Sequence, residues 1–158
     1  MRLGFIGFGE AARAFRDSLA AANATLSFSA YDILLDEEGP RGACAAAMSE
    51  RGVAAAHDPA ELAGCDWVMS AVTADQSLAA AEAAARWLRP GQVWFDINSV
   101  SPQRKRDSAA IVAGKGAIYL DMAVMAPVHP KGHRTPVLVA GPADNATVER
   151  LAALGFDF

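Results

Sequence analysis

Cysteine is scarce in this sequence. Cys44 and Cys65 are its only two, too few for a disulfide framework and without metal-ligand spacing. Both are expected to be reduced, buried, small apolar residues of a cytoplasmic protein. No apolar run approaches the ~20 residues that span a bilayer, so no membrane partner is expected. The N-terminus lacks the charged, apolar and small-residue zones of a secretory signal. Met1 leads almost directly into a strand. Basic charge is not in excess either. The 14 Lys and Arg face 18 Asp and Glu, a formal net charge of −4, which argues against a nucleic-acid partner, since such proteins carry a basic stripe. Lysine and histidine are rare, as Lys105, Lys115 and Lys131 and as His57, His129 and His133.

What is present is apolar. Apolar residues make up 53% of the 158 and charged residues 20%, enough for a packed core and too apolar for disorder. The length fits one domain, residues 1–158, and abundant alanine favours helices. Residues 2–7, 26–31, 53–56, 67–72, 93–97, 117–121 and 137–140 read as strands. Residues 10–22, 42–49, 59–63, 76–88, 101–112 and 143–154 read as helices. Asp58-Pro59 and Ser101-Pro102 are helix starts, and Pro90-Gly91 is a stop. Asp36–Arg41 reads as a charged turn. Met122–Pro136 reads as a long irregular segment, of a kind that often carries function. Strand and helix alternate throughout, which implies an α/β fold. The expected form is a doubly wound, mostly parallel sheet with helices on both faces and added strands at one edge.

The first strand runs into Gly7-Phe8-Gly9-Glu10-Ala11-Ala12. A dinucleotide's two phosphates need a close backbone. Gly7 permits the tight turn, Gly9 has no side chain to block a pyrophosphate, and Ala12 lets the helix pack on the strand. The helix N-terminus offers free N–H groups and a positive dipole end. The expected donors are the amides of Phe8, Gly9, Glu10 and Ala11. A lone Gly-x-Gly-x-x-Ala is weak, but here a strand precedes it and a helix and strand follow. Asp32 ends that next strand and suits the ribose hydroxyls of NAD while repelling the extra phosphate of NADP. Arg41 or another cation reaching that phosphate would permit NADP.

Ligands of open α/β sheets bind beyond the carboxyl ends of strands. That rule selects Val72 and Thr73 after the fourth strand and Asn98 and Ser99 after the fifth. Thr73 reads either as lining a ribose or as a helix cap, Ser99 as a cap or a ligand contact, and Ser101 as a cap. His129 and His133 have i, i+4 spacing, but Pro127 and Pro130 oppose a helix and no cysteine or acid completes a metal set. Lys105, between Arg104 and Arg106, reads as part of a solvated basic face. Trp67, Trp87 and Trp94 read as packing residues.

These residues resemble a known family. Arg2–Ala12, Asp96-Ile97-Asn98-Ser99-Val100-Ser101-Pro102 and Tyr119–Met125 are similar to segments of the β-hydroxyacid dehydrogenases, which include 3-hydroxyisobutyrate and 6-phosphogluconate dehydrogenases. The likeness covers essentially the whole chain and implies a Rossmann NAD-binding domain. Tyr31–Leu34, Ser70–Asp75 and Ala123–Pro127 are close to a subgroup described as 6-phosphogluconate dehydrogenase-like. The family's substrate segment reads Asp-Ala-Pro-Val-Ser-Gly-Gly. In Asp121–Pro127 a thioether, Met125, replaces its hydroxyl, and both glycines are gone. The family's catalytic lysine lies on a later helix, and none of the three lysines here matches it. The resemblance thus implies an N-terminal cofactor domain, with an all-helical, dimer-forming C-terminal domain beyond Phe158. Leu151–Phe158 is then expected to expose apolar surface and to self-associate.

The leading reading is an NAD-dependent oxidoreductase of the β-hydroxyacid type, a homodimer at full length. Its cofactor does the hydride chemistry while the protein orients it and supplies an acid or base. Ser99, Val124 and Met125 would face a small-molecule substrate, and this chain alone would turn over little. The rival reading is a non-catalytic dinucleotide-binding or redox-sensing module. A third is a methyltransferase, which the pyrophosphate-type spacing of the turn disfavours.

Overall fold

Short runs rich in apolar residues become strands here because both of their faces are covered. The computed structural model describes residues 1–158. Seven strands, β1 (Arg2–Ile6), β2 (Ser27–Tyr31), β3 (Ala54–Ala55), β4 (Trp67–Ser70), β5 (Val93–Asp96), β6 (Ile118–Val124) and β7 (Val137–Ala140), form one sheet. Its order is β3-β2-β1-β4-β5-β6-β7. All pairings are parallel except that of β6 with β7. The helices are α1 (Glu10–Ala22), α2 (Leu34–Glu38), α3 (Ala43–Glu50), α4 (Ser77–Ala84), α5 (Pro102–Ala113) and α6 (Asn145–Leu154). Short 3-10 turns occupy Pro59–Gly64, Ala74–Gln76 and Gly132–Arg134. No helix is long and apolar enough to cross a membrane.

Parallel strands need crossovers, and the crossover helices cover the sheet. Side-chain alternation divides β1 between two cores. Leu3 and Phe5 join Phe15 and Leu19 of α1, Met48 of α3 and Leu151 and Leu154 of α6. Ile6 joins Val68, Trp94, Tyr119, Ala84 of α4 and Val112 of α5. From β1 the sheet grows through β2 and β3 on one side and β4 to β7 on the other. That is a topological switch point, where a crevice opens at the carboxyl edge. Tyr31, Ile6, Ser70, Asp96 and Asp121 form one register row along this edge. Asp32, Gly7, Ala71 and Ile97 each follow a member of it.

The structure corrects several expectations. Asp36–Glu38 is not a turn but part of α2, because Asp32 Oδ1 accepts the Leu34 N–H at 3.0 Å and starts a helix there. α4 is shorter than residues 76–88, starting after a 3-10 turn and ending at Ala84. β6 runs on to Val124 because β7 pairs with it, so the irregular segment begins at Met125. The expected apolar surface at Leu151–Phe158 is present only in part, as Phe158 and the small Ala152 and Ala153. Leu151, Leu154 and Phe156 are buried, and only Phe158 of these large side chains is exposed. The Phe156 ring packs 6.2 Å from Phe15, and Asp157 O accepts the Val137 N–H at 2.8 Å.

Candidate functional site

The two glycines of the turn play opposite parts. Gly7 has φ +83°, and a Cβ there would lie 2.4 Å from Ala71 O. Only glycine turns the chain at that point. Its N–H donates to Tyr31 O at 2.8 Å, locking the turn to β2. A Cβ on Gly9 would meet nothing within 4 Å. Gly9 therefore faces open space above the N-terminus of α1, and packing within the chain does not explain its lack of a side chain. The N–H groups of Gly9, Glu10 and Ala11 have no acceptor in the protein, as first-turn donors do not. Ala12 is fully buried against the sheet. Phe8 departs from expectation. Its N–H donates to Asp32 Oδ2 at 2.7 Å, which removes it from the free donors, and its ring is in the core.

Asp32 thus accepts one N–H on each oxygen and keeps lone pairs for further donors. It is half-buried and points its charge at the turn. α2 adds Asp36, Glu37 and Glu38 next to it. The Tyr31 hydroxyl donates to Asp36 Oδ2 at 2.6 Å. That bond, with burial and the nearby carboxylates, pushes the phenol up to about 12. Arg13 is committed elsewhere, its Nε donating to Phe8 O at 2.8 Å and its guanidinium lying 5.7 Å from the Phe8 ring centre. Arg41 is exposed beyond α2. Cys44 and Cys65 are free and buried, and burial raises both thiols, Cys65 to about 11.

The later strand ends differ among themselves. Val72 is half-buried beside Gly7. Thr73 is exposed and opens the 3-10 turn without a side-chain bond to the turn's backbone, so the capping role is not made. Ser101 does cap α5, its Oγ accepting the Arg104 N–H at 3.3 Å. Asn98 is buried, donating through Nδ2 to Asp96 Oδ1 at 2.7 Å and to Ser70 Oγ at 3.1 Å. Ser99 is exposed. Val124 is half-buried at the end of β6, and Met125 is 58% exposed. No hydrogen bond joins Ser99 to the segment Val124–Met125.

Two residues owe their surroundings to the fold. Lys105 is not solvated. It is buried, with Nζ 2.9 Å from Asp96 O, 3.1 Å from Asp96 Oδ1 and 2.8 Å from Asp121 Oδ1. A signal existed: Lys105, Ser108 and Val112 recur at helical spacing and are the buried stripe of α5. His133 is buried between Ser18 Oγ, 2.7 Å from Nδ1, and Leu154 O, 3.0 Å from Nε2. Burial lowers its imidazole. No sequence pattern near it announces those partners. His129 goes elsewhere, exposed and 3.8 Å from Glu10 at the mouth of the turn. A cleft of 430 Å³ lies at the opposite, amino edge, lined by Asp66, Gln92 and Arg150 among others. It is remote from the glycine turn, none of whose residues line it.

The chain can be set beside known proteins. A structure of a conserved hypothetical protein from Sinorhizobium meliloti 1021 is 37% identical, with TM-score 0.91, covering 99% of this chain and 52% of its own. A conserved protein of unknown function, reported as structurally similar to 3-hydroxyacid dehydrogenases, is 27% identical with TM-score 0.81, covering 99% and 56%. A 3-hydroxyisobutyrate dehydrogenase from Mycobacterium tuberculosis, solved with L-serine, shares the fold at 19% identity and TM-score 0.78, covering 99% and 53%. The chain therefore spans about half the length of these structures. A search of curated protein sequences finds no match. The family model for the NAD binding domain of 6-phosphogluconate dehydrogenase matches residues 2–153, nearly the whole chain, and the protein belongs to that family.

Proposed function

We propose that this chain is the cofactor half of an oxidoreductase and holds NAD along the carboxyl edge of its sheet. The N–H groups of Gly9, Glu10 and Ala11 take the pyrophosphate, and Asp32 takes the adenosine ribose. Val72 and Thr73 flank the dinucleotide, and Asn98 lies under its nicotinamide half. When bound, the cofactor supplies or accepts the hydride exchanged with a small hydroxyacid-like substrate. Ser99, Val124 and Met125 face that substrate, and of the three only Ser99 offers a hydroxyl. The observation that carries this reading is the unobstructed face of Gly9 above three unpaired N–H groups, with Asp32 bonded to the same turn.

The cofactor is NAD rather than NADP on charge. A 2′-phosphate would meet Asp32 with Asp36, Glu37 and Glu38 behind it, and Arg13 is held on Phe8 O. Titration with NADH and NADPH tests this, with Asp32→Ala alongside. Loss of Asp32 should weaken NADH by about tenfold or more, the worth of a charge-assisted hydrogen bond, and NADPH much less. Equal losses for both would sink the ribose role. A second reading, dinucleotide binding without catalysis, draws on Lys105, whose ammonium is committed to two carboxylates and is not free to shuttle protons. Deuteride transfer from C4-labelled NADH to an oxoacid would eliminate it.

A further inference from the structure

Beneath the fifth strand end lies a buried polar cluster of which the cofactor reading uses only Asn98. Asp96, almost fully buried, closes β5. Its Oδ1 accepts both the backbone N–H and the side-chain Nδ2 of Asn98, at 2.9 and 2.7 Å. Its Oδ2 accepts the Tyr119 hydroxyl from β6 at 2.7 Å. Lys105 reaches in from α5 to Asp96 and to Asp121, its register partner on β6. Three elements thus meet on one carboxylate.

The charges dictate the Asn98 amide. Nδ2 spends both hydrogens, on Asp96 and on Ser70 of β4, while Oδ1 is buried and accepts nothing. A reversed amide would set Oδ1 against the Asp96 carboxylate. Asp96 Oδ1 as acceptor therefore fixes the amide, and Asp96, buried, stands in register with Asp121, half-buried, with a cation between the two carboxylates. Lys105 is that cation. Arg104 on the same helix turns away to the carbonyls of Ala74 and Asp75, while Arg106, lining the same cavity as Lys105 and Asp121, donates to Gln103 and pairs with neither carboxylate. α4 packs on α5 but makes no ion pair with Lys105. Tyr119 is held as a neutral donor, its phenol raised by burial and by Asp96.

We propose that Lys105 is a positioning residue for the nicotinamide end of the site, acting through Asp96 to hold Asn98 and the turn that carries Ser99. This rests on the cofactor reading above. The switch point divides the dinucleotide, with adenosine toward β2 and nicotinamide toward β4 and β5. Lys105 therefore governs the nicotinamide half alone.

Binding of NADH and of ADP, which lacks the nicotinamide riboside, tests it. In Lys105→Met the preference for NADH over ADP should fall about tenfold, the worth of one charge-assisted hydrogen bond, while ADP binds as in wild type. Without Lys105 the Asp96 and Asp121 carboxylates, register partners on neighbouring strands, repel each other with no cation between them. The double variant K105M/D121N, free of that repulsion, should recover the preference. Tyr119→Phe, a near-isosteric change that folds more readily, should lower the preference about threefold by the same bond arithmetic. Parallel loss of NADH and ADP in Tyr119→Phe and folded Lys105→Met, or wild-type preference in both, overturns the proposal alone. A wild type that binds NADH no better than ADP overturns the cofactor reading with it.

Discussion

At the scale of single residues, Gly7 and Gly9 are indistinguishable as letters and opposite in physics. Gly7 is required by the fold, because its φ of +83° and the 2.4 Å approach to Ala71 O leave no room for a side chain. Gly7→Ala should cost about 2–4 kcal/mol, a strain and clash penalty, seen as a lowered urea midpoint. Gly9 has φ −79° and open space beyond its Cα. Gly9→Ala should stay within about 0.5 kcal/mol of wild-type stability yet weaken NADH binding at least tenfold. Normal NADH affinity in a folded Gly9→Ala protein would place the pyrophosphate elsewhere. The motif was readable in the sequence because both glycines fall at fixed offsets from a strand end. That Phe8 spends its amide on Asp32 was not, since the bond joins positions 24 apart.

Among the elements, the segment after β6 shows how a loop is fastened to a helix. Gly132 sits so close to α1 that a Cβ would clash with Ser18 and Ala14. His133 donates its backbone N–H to Ser18 Oγ at 2.8 Å and spans with its ring to Leu154 O, tying α1 to the end of α6. Burial lowers this imidazole below its ordinary value of 6.5. The sign follows from proton counts. As pH falls below about 6.5, the unfolded chain takes up a proton that the native state resists, so the unfolded state gains. The stability contributed by a neutral His133 is full above that pH and is lost as pH falls below it. Urea titrations from pH 7.5 to 5 should show a decline that His133→Gln reduces. An unchanged slope in the variant would mean that other groups titrate. The sequence located the irregular segment and its histidines but not their fates, because burial of one and exposure of the other depend on where α1 and α6 pass.

At the scale of the whole fold, Phe156 is part of the main core. Phe156 packs against Phe15 and lies 5.4 Å from the His133 ring, so it closes the face built by α1 and α6. Phe156→Ala should cost about 3–5 kcal/mol, as expected for a buried aromatic, read as a drop in melting temperature. A change under about 1 kcal/mol would show that this end is dispensable. The sheet order around β1 then explains why the adenosine and nicotinamide parts of the proposed site fall on opposite sides of one strand.

The sequence by itself determined the alternation of strands and helices, the glycine turn, the acid that ends β2 and the cap at Ser101. Each of these is a local pattern, set by side-chain period, backbone freedom or a fixed offset along the chain. Only the tertiary structure decided that Lys105 is buried, that Asp96 and Asp121 meet across a register row, and that the last residues fold inward. Those outcomes depend on contacts between distant segments, where a charge is solvated or paired according to what the fold brings beside it. The glycine turn was legible because its chemistry is in its own backbone. The cluster beneath Asn98 was not, because its chemistry is divided among β4, β5, β6 and α5.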